Sequence, residues 1–190
     1  MGDESNHFSD RVIVTNILNG NIQGFAIVVR NTEKLVTQIV RKMVANEDDQ
    51  KDLVQDIYLK AYQNLSSFQF KSKLSTWIAN IAYNTTVNHL QKRKISIIEI
   101  ETTTQDNFII HDNPELTTIK TEELEILNTA IAKLPPLYQT LITLYHLEEL
   151  SNKEIAEITD LPEGTIKSYL YRARKSLKDN MSHHYKNERL

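Results

Sequence analysis

Ile166, Leu170, Ala173 and Leu177 recur at i, i+4, i+7 and i+11, a narrow apolar stripe that only an α-helix with one edge turned inward can bury. Upstream, Ser151 with Glu154 three residues on is a capping-box start for another helix, whose inner face is Ile155 and Ile158. Asp160 to Gly164 forms the turn between them, with Pro162 suited to the first turn of the second helix. The pattern predicts a helix-turn-helix over Ser151 to Lys178. Its outward residues are Lys167, Ser168, Tyr171, Arg172, Arg174, Lys175 and Lys178. Such a second helix enters the major groove of duplex DNA with its N-terminal residues nearest the base edges. The plainer alternative is a helical hairpin whose basic face only meets water.

Charge is distributed unevenly. The formal net charge is −3, unusual for a protein that binds DNA through its whole surface, so local balance matters more than the sum. Lys71, Lys73, Lys92, Arg93 and Lys94 form one island without an acid, and the helix from Thr165 to Lys178 forms a second. Between them, Glu99, Glu101, Asp106, Asp112, Glu115, Glu122 and Glu123 face Lys120 alone. Two basic islands are separated by an acidic bridge.

The chain has 190 residues, 40% of them hydrophobic and 25% charged, ordinary values for a globular protein. Only four glycines and four prolines, with almost no alternating apolar stretches, predict an all-α fold. Helices are expected over Asp10 to Leu18, Gly24 to Ala45, Glu47 to Leu65 and from Thr76 onward. Residues 95–121 read as an acidic flexible linker with room for a short strand. Two small helical domains follow, residues 1–94 and 122–190. No apolar run approaches a membrane span and the first residues lack the form of a signal peptide, so the chain is expected in the cytoplasm without membrane insertion. The absence of cysteine excludes disulfides, thiolate metal sites and cysteine nucleophiles. No constellation of nucleophile, base or metal ligands points to an enzyme, a cofactor or a metal, and the six histidines are scattered.

Ser66 to Lys94 interleaves Phe68, Phe70, Trp77 and Tyr83 with lysines and with Asn80, Asn84 and Asn88. Rings beside cations and amides suit unpaired nucleic acid, because free bases stack on rings and expose their edges. Trp77 and Tyr83 fit core positions equally well. Just upstream, Asp49, Asp52 and Asp56, with Gln55, mark either a partner-binding face or a solvated acidic one.

Taken together, these residues resemble the RNA polymerase sigma factors of the extracytoplasmic-function group, over nearly the whole chain. DDQKDLVQDIYLKAY resembles the helix that docks on core polymerase, STWIANIAYN the stretch for the −10 promoter element, and EIAEITDLPEGTIKSYLYRARKSL the −35 reader. The resemblance implies region 2 in residues 1–94 and region 4 in residues 122–190. By the same likeness Asp49, Asp52, Leu53, Gln55 and Asp56 would face core RNA polymerase. Phe68, Lys73 and Asn84 would meet the single-stranded −10 element, with an unstacked base captured before Thr76, while Lys92, Arg93 and Lys94 hold phosphates. Lys167, Ser168, Tyr171 and Arg172 would face duplex −35 bases, and Arg174 and Lys175 the backbone. Asn80 and Tyr169 depart from positions often basic in the family. An anti-sigma factor is an implied partner. The implied function is promoter recognition, DNA melting and transcription initiation. The rival is a stand-alone helix-turn-helix regulator of duplex DNA.

Overall fold

Helices dominate because the apolar residues recur at helical spacing and the turns between them carry their own stop signals. The computed structural model describes the backbone of residues 2–100 and 121–187, with side chains over 9–92 and 126–181. Residues 101–120, most of the expected linker, lie outside the described residues, while its first residues, 95–100, where a short strand had room, are helical.

The first domain holds α1 (Gly2–Leu18), α2 (Gln23–Met43), α3 (Glu47–Gln63) and α4 (Leu74–Ile100). Gly20, at φ +100°, turns the chain between α1 and α2, a conformation that costs a side-chain-free residue least. Asn46 caps α3 by accepting from the backbone N–H groups of Asp48 and Asp49 at 3.0 and 2.9 Å. Acids at Glu47, Asp48 and Asp49 then complement the positive helix end. Val28, Val36, Ile39 and Val40 of α2 bury against Leu53, Ile57 and Ala61 of α3 and Ile78, Ala79 and Ala82 of α4. A single 3₁₀ turn, Leu65–Ser67, and a short loop join α3 to α4. The fourth helix begins two residues before Thr76 and runs past the expected boundary at residue 94 to Ile100.

The second domain holds α5 (Thr121–Ala132), α6 (Pro136–Ile142), α7 (Asn152–Thr159) and α8 (Glu163–Asn187). A π-helical turn, Thr143–Leu147, extends α6. The expected capping box is present, with Ser151 and Glu154 bonding each other's backbone N–H groups. Asp160 ends α7 at φ +56°, in the left-handed region that aspartate tolerates better than most residues. Pro162 stands just before α8 rather than inside it, and its carbonyl accepts from Ile166 at 3.0 Å. The predicted stripe is deeply buried at Ile166, Leu170 and Ala173, together with Leu141, Leu144, Ile155 and Ile158.

The two domains touch. Their buried residues form one continuous cluster, with α6 against α2 and α7 against α4. Among the described residues no helix is long and apolar enough to cross a membrane.

Candidate nucleic-acid interface

The outward face of α8 follows from its stripe, because fixing Ile166, Leu170 and Ala173 inward leaves the opposite arc no choice. Lys167, Ser168, Tyr171, Arg172, Arg174 and Lys175 are all exposed, and Tyr171 keeps 69% of its surface in contact with solvent. The Ser168 hydroxyl donates to the Thr165 carbonyl at 2.9 Å, leaving its lone pairs as acceptors. Arg174 is pinned: its Nε donates to His146 Nε2 at 3.2 Å and its guanidinium lies 5.0 Å from the Tyr145 ring centroid. Burial and the Arg174 charge both hold His146 below the usual histidine range, which keeps Nε2 available as an acceptor. Tyr169 points the other way, half-buried beside Tyr138 at 5.8 Å between ring centroids.

The aromatic loop before α4 is built differently from the sequence expectation. Phe68 is only 6% exposed, its ring packed at a tilt against Phe70 at 4.7 Å and Trp77 at 5.3 Å between centroids. A ring so enclosed is core, and Phe68 is withdrawn from the surfaces that can stack on a base. Its physical role is to support its neighbours. Phe70 adopts φ +56°, a strained conformation for an aromatic residue, and remains partly accessible. Beside it a cleft of about 310 Å³ is lined by Lys71, Ser72, Thr76, Trp77, Asn80, Glu157 and Asp160.

Polar side chains of α4 converge on α7. Asn80 Nδ2 donates to the carbonyls of Glu157 and Ile158 at 3.0 and 3.1 Å and to Asp160 Oδ2 at 3.1 Å. Asn84, one turn on, donates to the same Asp160 oxygen at 3.0 Å. Lys73 Nζ meets Glu154 Oε1 at 2.8 Å. Burial alone pushes the Glu154 carboxyl up, but hydrogen bonds from Lys73 and Ser151 and the Lys73 charge outweigh it, and the net position is below the carboxylate norm. Burial, with the nearby Asp160 charge and Tyr169, raises Tyr83 and keeps its phenol protonated. On α2, Lys34 and Gln38 both reach Glu148 Oε1, at 2.9 and 3.0 Å. Lys92 is exposed about two turns beyond Asn84, and the Arg93 and Lys94 side chains lie outside the described ones. The structure thus sets Lys73, Asn80 and Asn84 along the length of α7, Lys73 at its start and the two asparagines at its end.

On α3, Asp52 and Gln55 are exposed, Asp56 pairs with Lys60 at 2.7 Å and Asp49 lies 3.8 Å from His89. Leu53 does not share that face. It is 6% exposed and belongs to the core, because it continues the four-residue step to Ile57 and Ala61. Leu59, 55% exposed one turn beyond Gln55, is an apolar residue that this face presents, followed three residues on by Tyr62, 40% exposed. The signal of Leu59 in the sequence is that it is apolar yet lies off the four-residue step of Leu53, Ile57 and Ala61.

Known proteins match this arrangement in order and in extent. Residues 28–95 match the family described as Sigma-70 region 2, and residues 124–177 match Sigma-70, region 4. The ECF RNA polymerase sigma factor SigW of Bacillus subtilis is 30% identical over 176 residues, 88% of this chain and 94% of that protein. The chain belongs to the ECF sigma factors. The sigma-E factor of Escherichia coli is 33% identical over 181 residues, covering 91% of this chain and 94% of its own. Among solved structures, the sigma factor RpoE in complex with the anti-sigma factor NepR, from Bartonella quintana, aligns with a TM-score of 0.68 at 23% identity, over 83% of this chain and 96% of that one. CnrH in complex with the cytosolic domain of CnrY aligns at 0.66 and 20% identity, over 92% and 97%. Those two likenesses show the fold. As an ECF sigma factor the chain binds RNA polymerase and promoter DNA in transcription initiation, which sets aside the stand-alone regulator.

Proposed function

We propose that this sigma factor reads two promoter elements with two surfaces: the outer face of α8 on duplex −35 DNA and the loop and first turns of α4 on the unpaired −10 strand. In the −35 set, Lys167, Ser168, Tyr171 and Arg172 take the base edges, while Arg174 and Lys175 hold the backbone. The support for that division is geometric. Arg174 is held against Tyr145 and His146, so it can place a charge but cannot follow a base. In the −10 set, Lys73, Asn80 and Asn84 contact the strand, with Lys92, Arg93 and Lys94 on upstream phosphates. Asp52, Gln55, Asp56 and Leu59 form the polymerase face, with Asp49 at its edge. The site of action is the cytoplasm, the chain works without catalysing a reaction itself, and an anti-sigma factor is its regulatory partner.

The observation that carries this reading is the occupancy of the α4 face. Lys73, Asn80 and Asn84, whose donors suit phosphates and base edges, are satisfied by carboxylates and carbonyls of the helix-turn-helix. Acceptors of one domain stand where nucleic-acid acceptors would bind. Strand capture therefore requires the domains to part, and core polymerase, by holding each at its own promoter element, provides the reason for them to do so. The stretch between the two domains is long enough, since α4 ends at Ile100 and α5 begins at Thr121, and the 20 residues between them reach roughly 70 Å when extended, against about 35 Å per DNA turn.

A gel shift on a cognate promoter, run with and without core polymerase, tests the reading. Tight, salt-sensitive, promoter-specific binding is expected only when core is present. Equal specific binding by the chain alone overturns it.

A further inference from the structure

The loop between the 3₁₀ turn and α4 lacks the means to hold its own shape. Lys73 occupies the cap position of α4, and a lysine offers no acceptor to the helix's unsatisfied N–H groups while adding positive charge at the positive end of the dipole. Phe70, in the middle of the loop, is strained at φ +56°. Both defects are repaired from one place. Asp10 of α1 accepts the Leu74 N–H at 2.8 Å, across 64 residues of sequence. Its neighbour Arg11 sets its guanidinium 5.0 Å from the Phe70 ring centroid. Two consecutive residues thus fasten the middle and the end of the same loop. Both precede residues 28–95, the stretch matched to region 2.

We propose that Asp10 and Arg11 are positioning residues for base capture: α1 clamps the loop, and with it the first-domain wall of the cleft, Thr76, Trp77 and Asn80, which stays in place when Glu157 and Asp160 of the second domain move away. This rests on the reading that the loop and α4 receive the −10 strand. Asp10 supplies the missing cap and places a negative charge at the positive end of α4. Arg11 fixes Phe70, which through Phe68 fixes Trp77 on the wall of the cleft. Val14 and Ile17, buried on the same helix, anchor the clamp to the domain core. Neither Asp10 nor Arg11 needs to touch DNA.

The test is transcription by core polymerase holding the full chain, on a promoter and on its single-base −10 variants. Positioning predicts that Asp10→Ala lowers discrimination among −10 bases about fivefold, the effect of losing a helix cap, while −35 discrimination and core affinity stay as they were. Asp10→Asn, which keeps an acceptor for Leu74, should restore most of it. Arg11→Ala, an exposed change that leaves the core intact, should give a smaller loss in the same readout. A merely structural role would lower output on all templates in parallel and leave their ratios alone, and that result overturns the proposal. Asn84→Ala separates the two claims. If it changes −10 discrimination while the Asp10 and Arg11 variants do not, the clamp fails and the capture reading stands. If none of these variants changes it, both fall.

Discussion

Arg172 and Glu154 show how far one side chain can be assigned a job by its surroundings. Arg172 is exposed beside Ser168 on a helix whose fold is secured from the opposite side, so its removal should leave stability unchanged. If it reads a base edge with two hydrogen bonds, Arg172→Ala costs about 1–3 kcal/mol of promoter discrimination. Competition between a promoter and −35 variants measures this, and unchanged preference with intact melting would remove Arg172 from the reading set. Glu154 has two tasks, since it closes the capping box and meets Lys73 across the domain boundary. Glu154→Gln keeps an acceptor for the box but loses the ion pair, worth about 0.2–1 kcal/mol for a pair this accessible to water. Because the folded carboxyl is held below its unfolded value, the stabilisation is fully present above the unfolded pKa and disappears as pH falls through the folded one. Wild type should therefore melt above Glu154→Gln at neutral pH and converge with it on acidification. A gap that persists in acid would show that the pair is not its source.

At the level of single elements, α7 and α8 were legible almost residue by residue, because capping chemistry and apolar spacing are local and the same residues satisfy both. Ser151→Ala should accordingly cost about 1 kcal/mol in a urea melt, and no loss would mean that Glu154 secures the helix start unaided. The aromatic loop was not legible in this way. Phe68 stands among polar residues, so composition favoured exposure, yet the ring is drawn in by Phe70 and Trp77, and no periodicity marks a turn of that kind. Leu53 failed for a different reason: the family likeness placed it on the docking face while its step of four to Ile57 placed it inside, and packing decided for the step. Asp10 had no signal, since its partner is 64 residues away and nothing local distinguishes it from any acid on an amphipathic helix. Leu59 repays the correction. Leu59→Ala should weaken core binding with little change in melting temperature, because a side chain 55% exposed contributes little to the fold. Leu53→Ala should do the reverse, costing about 2–5 kcal/mol of stability.

Across the whole molecule, the contact between domains joins residues that the sequence presents as separate islands. Periodicity identifies each helix, but which helix faces which across an acidic linker depends on long-range complementarity that no local pattern encodes. Asp160 is the most telling member, because one carboxylate oxygen accepts from both Asn80 and Asn84. Its left-handed backbone suits glycine, so Asp160→Gly removes the carboxylate without straining the turn. If the closed arrangement withholds the α4 donors, the affinity of the free chain for a −10 strand scales with its open fraction, and a variant that opens ten times as often binds about tenfold more tightly. Anisotropy of a labelled single-stranded −10 oligonucleotide measures this. Lacking cysteine, the chain accepts two introduced ones as clean labelling sites, and Gln63 and Asp179 are exposed positions in the two domains. Energy transfer between them should fall in Asp160→Gly and fall further on adding core polymerase, with strand affinity rising in step. Opening without a gain in affinity would mean that the covered face of α4 is not the surface that captures the strand. A gain without opening would place the effect of Asp160 in local charge, since removing an acid beside Lys71 and Asn80 also makes the cleft more attractive to phosphate. Energy transfer separates these outcomes, because an effect of local charge leaves the distance between the labels unchanged, whereas exposure of the covered face lengthens it.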